Sequence, residues 1–393
     1  MNHTTSASLS AALPSKPRYE ILDGLRGVAA MIVLLYHHFD LYGMGSPVTA
    51  KINHGYLAVD FFFILSGFVI GYAYDDRWGK MNLKSFFKRR LVSLHPMIIL
   101  STFIGILFFY FGSGDMFPLI SSTHIGMLLV CALMSIFMIP APVSIDIRGW
   151  SEINAINGNA WTLYYEYFAN LLYALVIRRF SKTMLAVFVA ITAVLTLNLT
   201  LNLDLFGTFA DRTAQAYTVI GGWTLDVPQT LIGFTRLLFP FFAGLLISRL
   251  GFRIKTGRGG FWWCSAVLAL LLVMPRIGGE EHMLWNGIYE SVCILLLFPL
   301  IVAAGAGGTV SGKTAKVCTF LGEISYPLYI VQYPIVYTLL GGWKTAHPEA
   351  TLDQTLVINV MCYLLSVGVA YASLKLYDIP VRRWLQANWL HRK

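Results

Sequence analysis

The chain has 393 residues, of which 56% are hydrophobic and only 12% charged, and its mean hydropathy is +0.64. Apolar runs of bilayer-spanning length recur along it, which excludes a soluble globular domain and points to a polytopic membrane protein. The net charge of +9 does not indicate a nucleic-acid binder, because the basic residues sit in short clusters between apolar runs, where they report orientation instead.

Residues 2–16 are rich in Ser, Thr and Ala and lack the pattern of a cleaved leader. Residues 1–20 are expected to form a mobile cytoplasmic tail, 21–378 the membrane domain and 379–393 a basic cytoplasmic tail. Spanning windows fall at 22–42, 56–74, 91–112, 160–178, 183–203, 228–250, 260–275, 284–305, 320–341 and 354–377. A further window, 124–140, is borderline in length. If it does not cross, Lys84, Lys88, Arg89, Arg90, Arg178, Arg179, Arg249, Arg253, Lys313, Lys316 and Arg382 all fall inside; if it does, most of these clusters change sides. The expected fold is therefore an all-α polytopic transmembrane helical bundle of about ten spanning helices with both termini cytoplasmic, eleven being the alternative count. The 124–140 segment is read as re-entrant or interfacial, and the long outward connections 113–159 and 204–227 as loops that shape a mouth.

The first span, LDGLRGVAAMIVLLYHHFDLY, carries Arg26 and His37 eleven residues apart. At 100° per residue that is close to three turns, so both share one face, roughly 16 Å apart along the axis. Ionisable groups inside a bundle cost several kcal/mol unless compensated and are functional candidates for that reason. Taken singly, Arg26 also suits an interface anchor and His37 an interhelical hydrogen bond. His37 and His38 project about 100° apart, and the five cysteines are scattered, so no metal site is expected.

LDGLRGVAAMIVLLYHH resembles the opening of the acyltransferase family 3 proteins, integral membrane O-acyltransferases marked by a basic residue, ten residues and a histidine. AVDFFFILSGFVIGY (58–72), FKRRLVSLHP (87–96), AWTLYYEYF (160–168) and EISYPLYIVQYPI (323–335) resemble later family segments, in order. Two positions depart from the pattern: Ser93 stands where a second arginine is usual, and Gln332 where a histidine is frequent.

The resemblance implies transfer of an acyl group, acetyl first, from acetyl-CoA or another acyl-CoA to a hydroxyl of a carbohydrate or envelope glycan. It also implies a bacterial-type cytoplasmic (inner) membrane location. In chemical terms His37 suits the general base, with Glu166 as the first expected orienting acid and Asp60 and Asp40 behind it. Arg26 and the Lys88, Arg89 and Arg90 cluster suit the phosphates of coenzyme A. Ser66 and Gly67 allow close approach of a pantetheine arm or a neighbouring helix. Trp161, Tyr326, Tyr329 and Gln332 are candidates for the acceptor path. The expected partners are the bilayer, acyl-CoA and a carbohydrate, with the need for a membrane or periplasmic partner protein open. The competing class is a transporter of a small polar or acidic solute, which would also hold Arg, His and Glu in its helices; no matching halves are visible in the sequence.

Overall fold

The computed structural model describes residues 16–42, 52–110, 116–209, 212, 215–278 and 281–390, and every regular element in them is helical. Helices α1 (Glu20–Tyr42), α2 (Ala58–Tyr74) and α3 (Leu83–Gly105) are followed by the short α4 (Ile125–Ile136). Then come α5 (Trp161–Leu175), α6 (Lys182–Thr200), α7 (Val227–Leu250), α8 (Gly260–Val273), α9 (Leu284–Val292) and α10 (Phe298–Gly307). The long α11 (Gly312–Ala346), α12 (Leu356–Ala372) and α13 (Ile379–Leu385) complete the bundle. Polar side chains mark several starts: Asn82, Ser181 and Asp226 accept the backbone N–H of Ser85, Met184 and Gln229, satisfying amides the helix itself leaves free.

Seven helical stretches among the described residues are long and apolar enough to cross a bilayer: 20–42, 55–74, 83–110, 182–200, 227–250, 284–307 and 356–390. Three expected spans fall outside that set. Helices α5 and α8, at 15 and 14 residues, are short, and the central stretch of α11 is diluted by Tyr, Pro and Gln. The 124–140 window holds a 12-residue helix, about 18 Å long against a core of about 30 Å. Residues 1–15 of the expected N-terminal tail, together with Arg392 and Lys393, lie outside the described residues. The expected C-terminal tail is helical as far as Leu390 and packs on α3, where Lys88 lies over the Trp389 ring at 5.0 Å.

Helix α1 packs most extensively on α11, and α2 on α7. Outer faces of the bundle carry exposed apolar side chains at helical spacing, such as Val187, Ile191 and Val194 on α6 and Val357, Met361 and Leu364 on α12. Lipid is the environment that tolerates such faces. The α2–α7 contact depends on missing side chains: a Cβ on Gly67 would overlap the carbonyl oxygen of Phe241, and one on Gly244 that of Ile64. The close approach expected at Gly67 is thus made to a helix.

Replacing Gly67 by alanine forces these backbones apart and is expected to destabilise the protein by about 1–3 kcal/mol. Thermal unfolding in detergent checks this, with Gly79→Ala as a control because nothing lies within 4 Å of a Cβ there.

Candidate active site

A cavity of about 210 Å³ opens between α1, α2, α5, α7 and α11. His37 and Asp40 line it from α1, Tyr329, Tyr333 and Tyr337 from α11, and Arg236 from α7, while the connections add Trp150, Glu152, Asn159 and Trp223. The two long connections meet at its edge, where Ile153 N–H donates to the Trp223 carbonyl at 2.6 Å. Proline chemistry fixes the remaining wall. Pro334 has no N–H, so the Ile330 carbonyl four residues earlier loses its helical partner, and Asn157 Nδ2 donates to it at 2.7 Å. Asn159 Nδ2 donates to the neighbouring Tyr329 carbonyl at 2.8 Å. Gly158 lies between these asparagines because any side chain there would strike Glu152 and Tyr333.

His37 Nδ1 lies 3.2 Å from the Tyr337 hydroxyl, and that hydroxyl donates to Asp40 Oδ2 at 2.9 Å. A phenol has one proton to give. With it committed to Asp40, the His37–Tyr337 bond requires Nδ1–H as donor, which leaves Nε2 as the basic nitrogen. Asn159, one of whose Nδ2 protons is used on the Tyr329 carbonyl, lines the same cavity as the imidazole. Glu166, the first expected partner of His37, lies elsewhere; Asp40 is linked to the ring through Tyr337. His38 turns away, its Nδ1 on the Leu34 carbonyl at 2.8 Å and its ring beside Tyr363.

Two buried ion pairs frame the cavity. Arg236 Nη2 binds Asp60 Oδ2 at 2.8 Å with both side chains almost wholly buried, and it also donates to the Tyr56 carbonyl at 2.7 Å. Asp60 is therefore the partner of Arg236, on α7, and not the acid linked to the His37 ring. Arg148 pairs with Glu152, and Tyr333 donates to Glu152 Oε1 at 2.9 Å. Burial pushes the Glu152 carboxyl above the usual carboxylate range, and the Arg148 guanidinium opposes that shift. Behind Tyr56, the buried Glu290 carboxylate accepts from Tyr56, Thr218, Asn286 and the Val219 amide, at 2.5 to 2.7 Å.

A second polar cluster lies further along the same helices. Glu166 Oε1 accepts from Ser66 at 2.8 Å and pairs with Arg90 at 2.7 Å. Arg26 donates to Ser325 Oγ at 2.8 Å and to the Gly322 carbonyl at 3.0 Å, and it lies 3.5 Å from Asp23. Tyr326 donates to the Leu94 carbonyl at 2.7 Å. Lys88 reaches Trp389, Arg89 is half-buried, and Gln332 is buried with both side-chain polar atoms unpartnered. Of the expected site residues, His37, Asp40, Trp161 and Tyr329 share the cavity, whereas Ser66 and Arg90 are joined through Glu166 and Arg26 is bonded to Ser325. Tyr36, Tyr333, Tyr337, Glu152 and Arg236 were not expected at the site. Tyr333 and Tyr337 carry a signal in hindsight, because they follow Tyr329 at helical spacing.

The arrangement is a half-buried imidazole oriented from one nitrogen, lining an aromatic cavity, with basic residues further along the same helices. Residues 19–374 match the family model described as an acyltransferase domain, acyltransferase family 3. The chain belongs to acyltransferase family 3. Among its relatives, Protein 2 in picA locus of Rhizobium radiobacter is 31% identical over 169 residues, 40% of this chain and 81% of that protein. Acyltransferase MdmB of Streptomyces mycarofaciens is 23% identical over 374 residues, 88% of this chain and 89% of its own length. Provisionally named O-acetyltransferases of Staphylococcus aureus match at 39% identity over 82 residues, 20% of this chain but 12% of theirs. No solved structure matches the chain. Acyltransferase family 3 membership and the apolar helices together make this an integral membrane acyltransferase.

Arg236→Met would strand a buried Asp60 carboxylate and is expected to cost about 3–5 kcal/mol. Thermal unfolding of the detergent-solubilised protein checks it, and Asp60→Asn in the same chain is expected to restore part of the loss.

Proposed function

We propose that this acyltransferase moves an acyl group, acetyl first among them, from acyl-CoA to a hydroxyl of a carbohydrate or envelope glycan. It does so in a bacterial-type cytoplasmic membrane, crossed by about ten helices with both termini inside. In this reading the cavity receives the acceptor. Trp150, Trp161 and Trp223 offer flat apolar faces and Glu152 and Asn159 polar edges, a combination that suits a sugar ring. Arg26, Lys88, Arg89 and Arg90, at the other end of α1 and α3, offer guanidinium and ammonium groups to the phosphates of the donor. Glu166, bonded in turn by Ser66, holds Arg90 there, and Tyr326 and Gln332 stay candidates for the acceptor path.

The observation that carries the reading is the His37–Tyr337–Asp40 chain. His37 Nε2 takes the acceptor's hydroxyl proton as its oxygen attacks the thioester carbonyl carbon. The imidazolium then holds its Nδ1 proton toward Tyr337, whose hydroxyl is fixed by Asp40. When the tetrahedral intermediate collapses, the carbon–sulfur bond breaks and Nε2 returns the proton to the departing thiolate, leaving ester and free thiol. Tyr337 and Asp40 act as positioning residues: they select the tautomer and the ring orientation, as an acid behind a catalytic histidine does.

The test is labelled acetyl-CoA incubated with envelope glycans and membranes holding matched amounts of each variant. Wild type is expected to label glycan, and His37→Ala to lose transfer by about 10²- to 10⁴-fold, the usual worth of a general base. Tyr337→Phe keeps the ring but breaks the chain, and kcat is expected to fall by about 10- to 100-fold with little change in donor KM. Equal labelling by wild type and His37→Ala would refute the assignment.

A further inference from the structure

Four helices carry the cavity and the second polar cluster in the same order, with one layer of side chains between. On α2, Val59 lines the cavity, Phe62 follows three residues later, and Ser66 in the second cluster four residues after that. Those steps are roughly 4.5 and 6 Å along the axis. On α11, Ser325 meets Arg26, Tyr329 stands four residues on, and Tyr333 faces Glu152 in the cavity after another four. On α5, Trp161 lines the cavity, Thr162 is next, and Glu166 lies four residues deeper. On α1 the separation is longer, eleven residues from Arg26 to His37, against seven on α2, eight on α11 and five on α5.

The intermediate layer is closed by side-chain contact. The Phe62 and Tyr329 rings meet edge to face, with centroids 5.6 Å apart and planes at 78°. Tyr329 is fixed at both ends, its hydroxyl 3.0 Å from Thr162 Oγ1 and its carbonyl bonded by Asn159. Phe62 is not so held. Its neighbours Phe61 and Phe63 are buried in the core, whereas Phe62 remains partly exposed and packs against both of the larger apolar clusters that flank the path.

We infer that Phe62 and Tyr329 form a partition between an acceptor chamber and a donor chamber, with Phe62 the movable half, and that this partition sets the size of acyl group accepted. The inference rests on the acyl-CoA reading above. A thioester whose phosphates stay with the basic cluster must pass its acyl group between these rings to bring the carbonyl carbon to His37. A two-carbon group needs only a small displacement of Phe62, while a longer chain must hold the ring aside. With no donor in place, the same contact separates water in the open second cluster from the cavity.

Two arms test it on the full chain in sealed vesicles of known orientation. In the first, Val59→Cys is treated with a membrane-impermeant maleimide from each side in turn, the native cysteines being buried. Labelling is expected only from the side on which the cavity opens. Adding Phe62→Ala is expected to raise the labelling rate from the Arg26 side at least tenfold, Phe62→Leu less, and Tyr329→Phe, which keeps its ring, not at all. Labelling from both sides with Phe62 in place, or no change with Phe62→Ala, overturns the partition. In the second arm, Phe62→Ala is expected to raise the ratio of hexanoyl to acetyl transfer from the CoA thioesters at least tenfold. An unchanged ratio with acetyl transfer intact overturns size selection. Wild type that moves no acetyl at all would overturn the acyl-CoA reading and the donor's part in this inference, while the labelling arm still reports on the partition itself.

Discussion

A charged side chain inside an apolar bundle must be met by a partner, and the interior of this protein is organised by that requirement. Asp60 is met by Arg236, Glu152 by Arg148 and Tyr333, Glu166 by Arg90 and Ser66, and Arg26 by Ser325 and the Gly322 carbonyl. Arg148 and Glu152 lie four residues apart in one connection, which Tyr333 ties to α11; the others tie together helices distant in sequence, so the charges that look most out of place in the spans also fix how the spans pack. Buried ion pairs of this kind add little net stability, yet removing one member is costly, which makes them strong constraints on geometry.

With those pairs in place, α1 becomes the axis of the site. Its contact with α11 brings Arg26 to Ser325 at one end and His37 to Tyr337 at the other. The two hallmark residues of the first span are therefore not partners of each other. They belong to two chambers stacked along one helix, with Phe62 and Tyr329 between them. In the proposed reading, a base working on a hydroxyl while a large anionic donor stays outside the apolar core is well served by such a division, because the phosphates need not be desolvated for the acyl group to arrive.

Much of this was legible in the sequence. The first span, expected at 22–42, is α1 at Glu20–Tyr42, and the common face of Arg26 and His37 follows from helical periodicity alone. The 124–140 window, borderline in length and read from the basic clusters as not crossing, holds a helix of 12 residues. The expected loops at the mouth do supply cavity walls through Trp150, Glu152 and Trp223. What could not be read was the register between distant helices. Asp40 and Tyr337 are 297 residues apart, and periodicity on α1 says nothing about which turn of α11 it will face. Glu166 was paired with His37 by depth from the helix end, but Gly158 and the asparagines set the start of α5 beside the cavity, so Glu166 lies a layer deeper, with Ser66 and Arg90. The role of Gly67 was likewise undecidable until α7 was seen against it.

The central claim is that donor and acceptor approach His37 from opposite ends of α1. The measurement that tests it most directly is acyl transfer in sealed, oriented vesicles with labelled acyl-CoA supplied on one side only and acceptor on both. Full transfer with donor on the Arg26 side, and none with donor on the side where the cavity opens, is the predicted result. Full transfer with donor supplied only on the cavity side would contradict the account.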